Sequence, residues 1–321
     1  MPKQAVLLLA HGTPDTVEQI PEYLRNVVSG RPLPQQVIEE IQHRYTLIGR
    51  SPLTEITLQQ GRLVEAELAA GGTPVPVYVG MRNWRPYIPD VVHQMRADGI
   101  DEAAVICLAP QNSRTSVGLY RRAVQAEAGT LRVDFTEGWA QHPLLAEAFA
   151  ERLRPILKKL TAETGEPVPV LFTAHSVPTR TVQPPPAGDA EAAQPRLWPG
   201  EGADPYAEEA RHTAELVAAR VPEISRWWFA FQSQGASGGP WIGPSVEETI
   251  DVIAAAGVKT LILQPIGFLC DHVEILYDVD MLFRGFAAKL GVRLERPESL
   301  NDSQTLARAV ADLAMQGLAR L

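Results

Sequence analysis

Residues 261–280, LILQPIGFLCDHVEILYDVD, decide how the rest of the chain is read. Residues 261–263 form a short apolar run, the composition of a strand buried on both faces. Pro265 and Gly267 end that strand, and Asp271 stands where a helix N-cap would. On the expected helix, Glu274 and Asp278 lie four residues apart and share a face, with His272 one position beyond the cap. Open α/β sheets place ligands where strand ends meet helix starts, which makes His272 and the two carboxylates candidates for chemistry. A structural reading fits the same letters, because Asp271 at N-cap and Glu274 at N3 make a capping box. Both readings stand on this stretch alone.

Moving outward, the same grammar recurs. Apolar runs at 6–9, 75–79, 103–109, 168–173 and 227–232 end at turns rich in Pro, Gly or His. Helical patterns separate them, at 89–97 and 206–220 for example, and another over 245–255 carries Ser245 and Glu248 in capping-box spacing with Gly257 beyond its end. Pro76 is awkward inside a central strand. Alternation of this kind predicts parallel, doubly wound α/β sheets. LLLAHGTP at 7–14 matches LFTAHSVP at 171–178, and AVICLAP at 104–110 echoes KTLILQP at 259–265. These pairs predict two similar doubly wound halves facing each other across a cleft, with domains over 1–150 and 151–301. An amphipathic helix over 302–321 is expected to pack back on the first. The Pro-, Gly- and Ala-rich stretch 181–205 reads as an irregular surface excursion.

The chain's 321 residues allow two domains with real cores, and 45% hydrophobic with 21% charged residues is the balance of a globular protein. A formal charge of −9 argues against a nucleic-acid partner. No apolar run reaches membrane-spanning length, and the first residues lead straight into a strand, so a cytoplasmic location is expected. Cys107 and Cys270 read as buried free thiols, with no ligand set for zinc or an iron–sulfur cluster. His43, His93, His142 and His212 fall on polar faces or in loops, whereas His11, His175 and His272 follow strand ends. The glycines at 235–239 lack the Lys-Ser/Thr of a phosphate loop, and neither Ser176 nor Ser233 sits in a G-x-S-x-G elbow.

Three segments, LFTAHSVP (171–178), FQSQGASGGPWIGPSVEETI (231–250) and PIGFLCDHVEILYDVD (265–280), resemble in order and spacing the signature segments of ferrochelatases. LLLAHGTP, RYTLIGRSPLTEIT (44–57) and LAPQNSRTSVGLYRRA (108–123) extend the resemblance over nearly the whole chain. It implies the two-domain chelatase fold and insertion of ferrous iron into a porphyrin. The nearest members are the bacterial coproporphyrin ferrochelatases, so coproporphyrin III is the expected substrate and coproheme the product. Protoporphyrin IX is the alternative substrate, and a non-catalytic haem carrier or sensor the alternative class.

Carried over, His175 and Glu274 are the active-site pair and the metal ligands, and Asp278 is the next acid. Arg31, Arg44, Tyr45, Ser51 and Tyr120 are the expected partners of the porphyrin carboxylates. His11, also expected to bind the porphyrin, stands where relatives carry a Tyr that faces the metal, Asn83 where they carry a His, and Met281 and Leu282 where a further acid extends the line. Iron is a substrate, so no cofactor is expected. The partners are the porphyrin, ferrous iron and neighbouring haem-pathway enzymes. The residue types suit the chemistry: two pyrrole protons must leave, a neutral imidazole accepts a proton or binds Fe²⁺, and carboxylates pass both on.

Overall fold

In the computed structural model, residues 2–182, 204–234 and 239–321 are described. They form two compact units. The first comprises the chain up to Trp139 together with Asn301–Leu321, and the second the described residues between Ala140 and Leu300.

The first unit runs β1 (Gln4–Ala10), α1 (Ile20–Val27), α2 (Gln35–Ile48), α3 (Leu53–Ala70), β2 (Val77–Met81), α4 (Ile88–Ala97), β3 (Glu102–Cys107), α5 (Val117–Glu127) and β4 (Arg132–Thr136). The second runs α6 (Pro143–Thr164), β5 (Val170–His175), α7 (Thr179–Val182), α8 (Tyr206–Arg220), β6 (Trp227–Gln232), α9 (Val246–Ala255) and β7 (Thr260–Pro265). A π-helix (Glu274–Phe283), α10 (Arg284–Lys289) and β8 (Arg293–Glu295) complete it, and α11 (Gln304–Arg320) returns to the first unit.

Each unit holds one four-stranded sheet, ordered β2-β1-β3-β4 in the first and β6-β5-β7-β8 in the second. Every pairing is parallel. The second order is the first repeated in the same sense, which is what the paired motifs predict. Parallel central strands are covered on both faces, and β1 and β3 accordingly show no exposed position. The first core gathers Leu7, Leu9, Val105 and Cys107 with Ile88 and Tyr120, and the second Leu171, Leu261 and Leu263 with Ile250 and Ile275. Among the described residues, no helix is long and apolar enough to cross a membrane.

Several expectations shift. The strand expected at 75–79 begins two residues later, at Val77, because Pro76 has no N–H to pair and offers only its carbonyl, to Val6. Two further edge strands, β4 (RVDFT) and β8 (RLE), are too short and polar to show an apolar run in the sequence. A boundary at 150 would cut α6, which packs along α8 and β7 of the second unit. There the side chain of Gln264 donates to the Phe149 carbonyl at 2.9 Å. Helix α11 lies on β3 and α3, as expected of 302–321, and Gly317 permits the approach, since a Cβ there would sit 2.9 Å from that of Ala104. The capping box at the start of α9 forms as read, with Ser245 and Glu248 each bonded to the other's backbone. The excursion at 181–205 and the glycines at 235–239 fall largely outside the described residues.

The largest correction concerns the stretch quoted first. Asp271 does not take the N-cap position of this helix. Val273 occupies the cap position, and the helix is wound as a π-helix through Phe283. The Asp271 carboxylate is held instead by Ser299 at 2.7 Å and Arg296 at 3.1 Å. The Glu274 side chain turns instead toward two histidines, His175 and His272.

Candidate active site

In an open parallel sheet, ligands gather beyond the carboxyl ends of the strands where the order reverses. In the second unit that reversal lies between β5 and β7, which are adjacent and lead to opposite sides of the sheet. His175 is the last residue of β5, and the segment leaving β7 carries Phe268, His272 and Glu274. Gly267 lets that segment lie against the end of β5. A Cβ added there would sit 3.2 Å from the Ala174 Cβ and 3.3 Å from its Cα, tighter than ordinary packing.

The π-helix then brings the acids in. Its i→i+5 winding is rare, and such turns concentrate at functional sites. Glu274 places one carboxylate oxygen 3.4 Å from Nε2 of His175 and the other 3.5 Å from Nε2 of His272, so a single carboxylate bridges two imidazoles. Each imidazole is oriented from behind. Nδ1 of His175 donates to the Ser176 carbonyl, and Nδ1 of His272 donates to the Cys270 carbonyl at 3.1 Å. With Nδ1 committed as donor, the neutral tautomer leaves the lone pair on Nε2, the nitrogen facing Glu274. The ring of Phe268 stands edge-on to His175 (centroids 6.2 Å apart) and 4.4 Å from His272, keeping both planes in place. Asp278 is buried and accepts from the hydroxyl of Ser233.

The electrostatics follow from this placement. Burial alone would lower the pKa of His175. The Glu274 charge beside it outweighs burial, helped by the Ser176 carbonyl and Asp278, and the imidazole ends above its ordinary value. For Glu274 burial alone would raise the pKa, but the two imidazoles hold its carboxyl well below the usual range. The pair thus sets a strengthened base beside a carboxylate that stays ionised at neutral pH, with 30% and 32% of the respective side chains accessible. Among the described residues, no group of three or more His, Cys, Asp or Glu side chains is arranged to hold a metal.

His175, Glu274 and Asp278 therefore come together, and His272 joins them. The remaining candidates lie in the first unit. His11, just past β1, meets the Tyr23 hydroxyl at 2.9 Å, and both of its ring nitrogens lie 3.2 Å from the amide of Asn83. Arg31 is exposed and bonds the Val28 carbonyl at 3.0 Å, while Arg44 pairs with Glu40 at 3.0 Å along α2. Tyr45 is almost wholly buried, and Tyr120 is a core residue whose phenol pKa burial pushes up. The Ser51 hydroxyl is buried with no hydrogen-bond partner among the described residues.

Sequence reasoning missed Tyr206 and the part played by Phe268. The Tyr206 hydroxyl donates to the His175 carbonyl at 2.9 Å and steadies the strand end. Nothing near Tyr206 in the chain signals this, whereas Phe268 sits inside a quoted motif.

The ferrochelatase family model matches residues 3–318. A protein named ferrochelatase from Acidobacterium capsulatum is 61% identical over 320 residues, covering 99% of this chain and 96% of that one. A coproporphyrin III ferrochelatase from Mycolicibacterium vanbaalenii is 34% identical over 322 residues, covering 98% and 89%. Among solved structures, the sirohydrochlorin chelatase SirB from Bacillus subtilis in complex with cobalt superposes with a TM-score of 0.58. It shares 10% identity, covers 99% of this chain and 96% of that one, and attests to the fold alone. The chain belongs to the ferrochelatase family, enzymes that insert ferrous iron into a porphyrin.

Proposed function

We propose that this ferrochelatase acts on coproporphyrin III, releasing coproheme, with His175 and Glu274 as its reacting pair. Insertion exchanges two pyrrole protons for one Fe²⁺, so the site must accept protons while admitting a dication. Nε2 of His175 takes the first proton, its basicity raised by the carboxylate 3.4 Å away. Glu274 remains anionic as that proton arrives and draws either the metal or the second proton, with buried Asp278 next along the same helix. Two protein donors are fewer than a resident metal site employs, so the ring nitrogens complete the coordination of a metal in transit. No cofactor enters this scheme.

The observation that carries the choice of coproporphyrin is the hydrogen-bonding capacity left in the first unit. The Arg31 guanidinium meets no carboxylate among the described residues, and the Ser51 hydroxyl has no partner there. A ring bearing four carboxylates uses such donors more fully than one bearing two, and an Arg fork holds a carboxylate with two N–H groups. The name of the Mycolicibacterium relative supports the same substrate. Anaerobic Fe²⁺ insertion with coproporphyrin III and protoporphyrin IX side by side tests it. A higher kcat/KM for coproporphyrin III is expected, and a higher value for protoporphyrin IX would reverse the assignment.

A further inference from the structure

One side chain ties the segment carrying His272 to the middle of the π-helix. Arg296 follows β8, and its side chain is only 12% exposed. Its guanidinium grips Asp280 with two prongs, Nε to Oδ1 at 2.7 Å and Nη2 to Oδ2 at 2.8 Å. Nη2 also lies 3.1 Å from Asp271, and Nη1 donates to the Pro297 carbonyl at 3.1 Å. Ser299 gives the same Asp271 carboxylate a second hold at 2.7 Å. Asp271 immediately precedes His272, and Asp280 lies just beyond Asp278, so the fork brackets the reacting stretch without touching it. A π-turn is intrinsically less favourable than an α-turn, and a tether from the segment before it to its middle sets where its side chains point.

We propose that Arg296 is a positioning residue for metal insertion: by clamping Asp271 to Asp280 it sets the direction in which the π-helix presents Glu274 to His175 and His272. The proposal rests on the reading of His175 and Glu274 as the reacting pair. Lys would keep the charge but not the fork, and Lys at a two-pronged site is not a conservative replacement.

The test compares Arg296→Lys and Ser299→Ala with Arg284→Ala in Zn²⁺ insertion, alongside thermal unfolding. Arg284 approaches Asp280 at 3.8 Å and Glu295 at 3.5 Å from a half-exposed position, so it shares the acid without joining the clamp. Arg296→Lys is expected to fold and to lose about 10- to 100-fold in kcat, because small misplacements of reacting groups cost that much. Its KM for porphyrin should stay within about threefold of wild type, since a positioning defect spares ground-state binding. Arg284→Ala should retain kcat within about twofold. Should Arg296→Lys not fold, Ser299→Ala carries the test, with a loss of about three- to tenfold in kcat at unchanged KM. Unchanged kcat in the folded variant overturns the proposal, as does an equal loss in Arg284→Ala. A wild-type protein inert toward both Zn²⁺ and Fe²⁺ would instead overturn the underlying reading, and the proposal with it.

Discussion

At the end of β1, His11 meets the Tyr23 hydroxyl at 2.9 Å and the Asn83 amide at 3.2 Å, whereas at the end of β5, His175 faces the Glu274 carboxylate at 3.4 Å. The strands end in closely similar letters, AHGTP and AHSVP, and occupy the same place in sheets of the same order. What separates them is the exit of the neighbouring strand. Beyond β3 come buried Gln111, Asn112 and Ser113 and then Arg114, with no carboxylate, while the corresponding exit of β7 leads to Asp271, His272 and Glu274. A strand end places an imidazole, and the chain beside it decides whether that imidazole meets neutral hydrogen-bonding groups or a carboxylate that raises its basicity.

The widest gap between the two strand ends should show in activity. His175→Ala is expected to lose at least about 100-fold in insertion rate, the usual scale for removing a general base. His11→Ala should stay within about tenfold of wild type, since the phenol and the amide that it bonds carry no charge at neutral pH. Initial rates of Zn²⁺ insertion, with circular dichroism to confirm folding, measure both. Comparable losses would erase the distinction.

The pH profile sharpens the electrostatic half of the comparison. Only neutral imidazole accepts a pyrrole proton, so kcat should fall as pH falls through the pKa of His175, which lies above the ordinary value of 6.5. Glu274→Gln removes the main charge that raises it, leaving burial opposed only by the Ser176 carbonyl and Asp278. The acidic limb of the profile should then move to lower pH, and kcat should drop about tenfold or more. A limb that stays in place in Glu274→Gln would show that the carboxylate does not set the basicity of His175.

The smallest effect belongs to the edge strands. After β6, Ser233 donates to buried Asp278, whereas after β2, Asn83 turns to His11. Ser233→Ala should cost about 1–3 kcal/mol in stability by leaving a buried carboxylate short of a donor. Denaturant unfolding reads this, and a loss below about 0.5 kcal/mol would mean that other donors satisfy Asp278.

Local order along the chain was enough to read the alternation of strands and helices, the repeated strand ends, the capping box at Ser245 and the placing of His175 and Glu274 beyond strand ends. Each depends on side-chain periodicity, turn chemistry or a motif contained within a few residues. Tertiary structure decided the rest. It assigned α6 to the second unit, because a helix joins whichever sheet its apolar face covers. It drew Asp271 away from the helix start, because Ser299 and Arg296 arrive from a distant segment to hold it. It bridged His175 and His272 through one carboxylate and set Tyr206 behind the strand end. Burial and charge proximity shift a pKa only once the chain has folded, and residues far apart in sequence supply both.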